Sequence, residues 1–124
     1  MTRINVVPPA TLSRQHLIAE YRELPRVFSL ARKRYKAGQY YGGPDLYTLG
    51  TGHVLFFTTR LLFCLIRYQQ LVDEMRLRGY NAKPVPLADL AHGISTNYFG
   101  NYKPTTAAIK INRQRIKERL NASR

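Results

Sequence analysis

Residues 15–38 read QHLIAEYRELPRVFSLARKRYKAG, and the spacing of their apolar side chains decides the fold. At 100° per residue, Leu17, Tyr21, Leu24, Phe28, Ala31 and Tyr35 fall on one side of a helix. Gln15, His16, Ala19, Arg22, Glu23 and Arg26 fall on the other. Ser13 is placed to cap the start of this helix. Pro25 should bend it and free the carbonyl of Tyr21, and Gly38 should end it.

Outward from this stretch the pattern stays helical. His53 to Arg78 is apolar nearly all round in its first half and amphipathic afterwards, which predicts one central buried helix closed by Gly79. Pro104 with Thr105 or Thr106 opens a third helix running to about Leu120, with Ile109, Ile116 and Leu120 on one side. Gln39 to Gly52 reads as a Gly- and Tyr-rich loop. Tyr80 to Tyr102 reads as a long connection with one short helical turn near Leu87–Ala91. Pro8-Pro9 keeps the start extended, so residues 1–12 form an arm. The expectation is an all-α single domain over residues 1–124, with three main helices and long connecting loops.

The charge balance points to the partner. The chain has 20 Lys and Arg against 7 Asp and Glu, a net charge of +13. A field of that sign and size concentrates near phosphates, so a polyanion is expected, with nucleic acid first. Cys64 stands alone and excludes an internal disulfide. It reads as a buried, inert thiol suited to a reducing compartment. His16, His53 and His92 show no ligand spacing, so no metal site is expected. The start of the chain lacks an apolar signal segment. The run Val54 to Ile66 is interrupted by Arg60 and is too short to span a bilayer. A soluble, intracellular protein with no membrane association is the expectation.

Chemistry can be placed on few residues. A small residue after Met1 normally allows the Met to be removed, which leaves a Thr2 α-amine. Its unperturbed pKa of about 7.7–8.0 makes it a nucleophile at neutral pH, and nearby arginines lower that value further. The bland alternative is a frayed terminus. Glu23, on the polar side with Arg22 and Arg26, reads either as a surface partner of Arg26 or as a carboxylate moving a proton in a basic cleft. Glu20, beside this face, is a weaker rival. Arg22 and Arg26, like Arg115 and Arg119, are like charges at i,i+4, a spacing that reads either as ordinary solvated arginine or as pairs that both face phosphates. His16 is either a site residue or a helix-start hydrogen-bonder, and His53 reads as structural. Tyr40, Tyr41, Tyr47, Tyr98 and Tyr102 either stack on bases or pack their loops.

Taken together, MTRIN at Met1–Asn5, QHLIAEYRELPRVF at Gln15–Phe28 and LGTGHVLFF at Leu49–Phe57 resemble the phage-type pyrimidine dimer DNA glycosylases, the ultraviolet-damage endonuclease V family. Looser matches are RGYN at Arg78–Asn81 and GNYKPTTAAI at Gly100–Ile109. The resemblance implies a compact three-helix enzyme that removes a damaged pyrimidine and nicks the strand as an abasic-site lyase, without metal or organic cofactor. It puts the nucleophilic amine on Thr2 and the essential carboxylate on Glu23. DNA contacts fall on Arg3, Arg22, Arg26, Arg115 and Arg119, and Gln15 and His16 line the site. The implied partner is double-stranded DNA carrying damaged pyrimidines or abasic sites, bound by a monomer.

The chain departs from the best-known member of that family in three places. Thr58-Thr59-Arg60 follows Phe57, the Gln39–Leu49 loop differs, and no aromatic, basic tail precedes the end at Arg124. These departures leave lesion preference open between dimers, oxidised bases and abasic sites. Two other readings need neither Thr2 nor Glu23: a non-catalytic basic DNA-binding module, and a basic RNA-associated protein.

Overall fold

The computed structural model describes residues 3–40 and 43–122; Thr2 and Tyr41 therefore lie outside the described residues. The described chain is all-α. It forms α1 (Arg14–Glu23), α2 (Pro25–Lys36), α3 (His53–Phe57), α4 (Leu61–Leu77), α5 (Leu87–Ala91) and α6 (Thr106–Ala122), with single 3-10 turns at Pro9–Thr11 and Thr96–Tyr98. Ser13 caps α1 by accepting from the His16 N–H at 3.2 Å. The bend expected at Pro25 is a break between α1 and α2. Pro25 takes the first position of α2, where its missing N–H costs nothing, and Leu24 keeps a helical backbone between the two.

The central helix differs from its expected form. It is interrupted after Phe57 and resumes at Leu61. Thr58 turns its hydroxyl onto the Leu55 carbonyl at 2.7 Å, which competes with helix continuation. The chain at Gly100 then inserts into the gap. Its N–H donates to the Thr59 carbonyl at 3.2 Å, and its carbonyl accepts from the Leu62 N–H at 3.1 Å. A Cβ on Gly100 would lie 2.6 Å from the Thr59 oxygen, so only glycine fits.

Burial follows the helical faces. Leu17, Leu24, Phe28 and Ala31 are buried, as are Leu61, Cys64, Tyr68 and Leu71 of α4. Tyr21 stacks on Tyr68 at 5.7 Å, while Tyr35 stays half-exposed at the rim against Tyr98. Helix α4 packs on α1 and on the first 3-10 turn, and α2 packs on α3 and α5. Burial also pushes the Cys64 thiol far up, so it stays protonated and inert.

The long connection after α4 is a strap rather than a free loop. Its Lys83 and Val85 N–H groups donate to the Tyr21 and Tyr68 hydroxyls at 3.1 and 3.0 Å. Arg32 then gathers the Leu90 and His92 carbonyls at 2.8 Å each. Among the described residues, no helix is long and apolar enough to cross a membrane.

Candidate active site

The arm is the element that organises the site. Ile4, Val6 and Val7 are apolar and buried, with Asn5 buried between them. Their transfer out of water is worth about 1.5–3 kcal/mol per side chain. An extended segment in an all-helical domain has no ladder to satisfy its backbone, so side chains must do it. The Ile4 N–H donates to His53 Nε2 at 2.8 Å, and the Tyr47 hydroxyl donates to the Ile4 carbonyl at 3.2 Å. The Val6 N–H donates to Asn112 Oδ1 at 2.7 Å, and Arg67 Nη1 donates to the Val7 carbonyl at 2.5 Å. Residues 4–7 are thereby tied to the domain through both backbone and side chains.

The polar residues under the arm form one connected seam. Arg67 on α4 makes a two-pronged pair with Glu20 on α1, at 2.7 and 2.9 Å. Asn5 Nδ2 donates to Glu20 Oε1 at 2.7 Å, and Asn112 Nδ2 donates to Asn5 Oδ1 at 2.8 Å. Both carboxylate oxygens of Glu20 are engaged and its side chain is 1% exposed. This corrects its expected rivalry with Glu23: Glu20 is a structural partner.

Beside the seam opens a cleft of about 400 Å³. Arg3 of the arm, Gln15, His16 and Glu23 of α1, and Arg119 of α6 line it. Arg3 Nε and His16 Nδ1 are buried there without a hydrogen-bond partner among the described residues. Burial, and next the Arg119 and Arg115 charges, lower the Arg3 guanidinium pKa, although an arginine stays charged. Burial first, then Arg3 and Arg119, lower the His16 pKa, which keeps the imidazole neutral near pH 7. Glu20 reaches the cleft wall too, but its two oxygens are already taken by Arg67 and Asn5, so the arrangement presents fixed cations and donors around Glu23. Such a set suits an anionic substrate whose reaction needs a proton moved.

The other expected site residues surround this cleft. Arg22 lines an adjoining groove with Gln15 and Ala19, two residues shared with the cleft itself. Arg26, highly exposed, approaches Glu23 at 3.4 Å. Arg115 lines a groove with Leu49 and Lys110 and pairs with Glu118 at 3.5 Å, yet its charge is felt at Arg3. Thr2 lies outside the described residues, two positions before the clamped Ile4.

The tyrosine alternatives are decided for three positions. Tyr47 is buried against Phe56 and Phe57, Tyr98 is buried with its hydroxyl on the Gln39 carbonyl, and Tyr102 packs on Phe56. These three pack their loops, whereas Tyr40 is exposed with its hydroxyl donating to the Asn97 carbonyl. Sequence reasoning missed the anchors Asn5, Arg67 and Asn112, read Tyr47 only as a base-stacking or loop-packing ring, and saw His53 only as structural.

Residues 1–85 match the family model described as pyrimidine dimer DNA glycosylase. That span contains the arm, α1, α2, α3 and α4, and therefore Arg3, Gln15, His16 and Glu23 of the cleft. Arg115 and Arg119 come from α6, beyond the matched residues. With the match covering well over half of its length, the chain belongs to the pyrimidine dimer DNA glycosylases, a family of DNA-repair enzymes.

Proposed function

We propose that the protein excises ultraviolet-induced cyclobutane pyrimidine dimers from duplex DNA and nicks the strand as an abasic-site lyase, with the mature Thr2 amine as nucleophile. The observation that carries this reading is the convergence of Arg3, His16 and Arg119 around Glu23 in one cleft, beside an arm whose residues are held on both backbone sides. The amine attacks C1′, the C1′–N bond breaks, and its electron pair leaves with the base. The sugar ring opens to an imine. Loss of a C2′ proton then expels the 3′ phosphate by β-elimination. Glu23 stabilises the cationic sugar and moves the proton.

Arg3, Arg22, Arg26, Arg115 and Arg119 dock the phosphates, and Gln15 and His16 line the site around the displaced nucleotide. A damaged step is poorly stacked and kinks at lower cost, which favours it over intact duplex. No metal or organic cofactor enters this scheme.

Borohydride trapping with the mature protein tests it on two duplexes, one with a thymine dimer and one with an abasic site. A covalent adduct on both, mapped to the Thr2 peptide, is expected. An adduct on the abasic duplex alone would mean a different lesion preference. No adduct on either, with Met1 shown by mass to be absent, would leave a non-catalytic DNA-binding module.

A further inference from the structure

Among the described residues, Ile4 is the one nearest the start of the chain whose N–H and carbonyl are both held by side chains. His53 supplies half of that grip. Its Nδ1 lies 2.7 Å from the Thr48 carbonyl, which can only accept, so Nδ1 carries the hydrogen. Nε2 must then be the lone pair that receives the Ile4 N–H, and the ring is neutral. The imidazole is buried, edge-on to Tyr47 and Phe57 at 5.4 and 5.5 Å.

We infer that His53 is a positioning residue for the terminal nucleophile: by bridging Thr48 to Ile4 it fixes the point to which the Thr2 amine is tethered. The inference rests on the terminal-amine reading above. Two residues of extended chain span roughly 7 Å, so an amine tethered at Ile4 searches a small volume. Without the ring, Tyr47 still holds the Ile4 carbonyl, and Asn5 still bonds Glu20 and Asn112. The arm stays folded in, and only its leading end gains freedom. Loss of the bridge therefore slows attack while leaving the docking surface in place.

The bridge is also a proton gate. The groups facing the ring are Arg3 from the arm and Tyr47 and the Thr48 carbonyl from the loop, with Phe57 from its own helix. Burial, with Arg3 adding to it and the Thr48 carbonyl opposing, holds its pKa below the ordinary 6.5. The bridge is intact at neutral pH. Because the folded value lies below the unfolded one, its contribution is complete above the ordinary value and is lost as pH falls through the folded value.

The test is single-turnover borohydride trapping on an abasic duplex by the mature parent, His53→Leu and His53→Gln, with duplex affinity measured by anisotropy. Leucine removes both hydrogen bonds, whereas the glutamine amide keeps one donor and one acceptor. Trapping by His53→Leu should fall at least about tenfold, with affinity within about twofold of the parent, and His53→Gln should recover most of the rate. Below neutral pH, the parent's trapping rate should fall with one proton more than that of His53→Gln. Should His53→Leu fail to fold by circular dichroism, this comparison of acid limbs decides. Parent-like trapping by His53→Leu, a glutamine variant as slow as a folded leucine variant, or identical acid limbs would each overturn the inference. A parent that forms no adduct would instead overturn the terminal-amine reading, an outcome distinct from every result with a His53 variant.

Discussion

Glu20 and Glu23 lie three residues apart on the same helix, yet they do opposite work. Glu20 is withdrawn from water and saturated: Arg67 takes both of its oxygens, and Asn5 adds a third bond to one of them. Glu23 keeps 22% of its side chain exposed, lines the cleft, and meets an exposed Arg26 across 3.4 Å. A carboxylate can be buried only where partners replace its hydration, and the oxygens so engaged are not open to a substrate. Glu23, part-exposed at the cleft wall, faces the space a substrate would fill. The difference separates the machinery that holds the arm from the machinery proposed to use it.

Exchanging the chemistry of the two carboxylates should break the comparison most visibly. Glu23→Gln keeps the shape and removes the charge. Nicking of a dimer-containing duplex should fall by at least about 10²-fold, the usual scale for a general acid or base. Thermal stability and duplex affinity should stay near the parent values. Retained nicking by this variant would remove Glu23 from the mechanism.

Glu20→Ala should do the reverse. It strands the Arg67 guanidinium, only 4% exposed, without its counter-charge. Such breakage costs about 3–5 kcal/mol, a large part of the stability of a domain this size. Urea unfolding should show the loss directly, and the melting temperature should fall by roughly 10–20 °C. A melting temperature within a few degrees of the parent would show the buried pair to be dispensable.

Asn112→Ala is the next step down. It orphans the buried Val6 N–H and the Asn5 Oδ1 acceptor. Each unsatisfied group costs about 1–3 kcal/mol, so denaturant unfolding should register about 2–6 kcal/mol. The comparison is sharpened if Asn112→Ala also slows nicking more than it weakens DNA binding. That pattern would tie the hold on the arm to the chemistry, although Asn112 does not line the cleft.

What could be read from the sequence was local. The periodicity of Leu17, Leu24, Phe28 and Ala31, the stop at Gly38, the single turn at Leu87–Ala91 and the opening of α6 near Thr106 each depend on neighbours within a few positions. What escaped was set at long range. The break after Phe57 is filled by Gly100, and Glu20 is buried by Arg67, forty-seven residues away. Asn112 meets Val6 across a separation of 106 residues. Two of these had a signal. Arg67 interrupts the apolar stripe of Leu61, Cys64, Tyr68 and Leu71, and Asn112 sits between Ala108 and Ile116 on its helix. A polar side chain inside a core stripe has to be satisfied by something, and a buried partner elsewhere in the chain is the economical answer. The cleft was legible for a different reason. Gln15, His16 and Glu23 share one polar face of α1, so the same periodicity that found the core placed them together.

The smallest structural effect belongs to Arg26. Its pair with Glu23 is long and its guanidinium is 67% exposed, so solvent screens most of the attraction. Arg26→Ala should change stability by less than about 1 kcal/mol. If Arg3, Arg22, Arg26, Arg115 and Arg119 each neutralise a phosphate, log K for undamaged duplex should fall against log salt with a slope of about −4.5. Removing Arg26 should then flatten that slope by about 1 while leaving the melting temperature unchanged. An unchanged slope would assign Arg26 to Glu23 rather than to DNA.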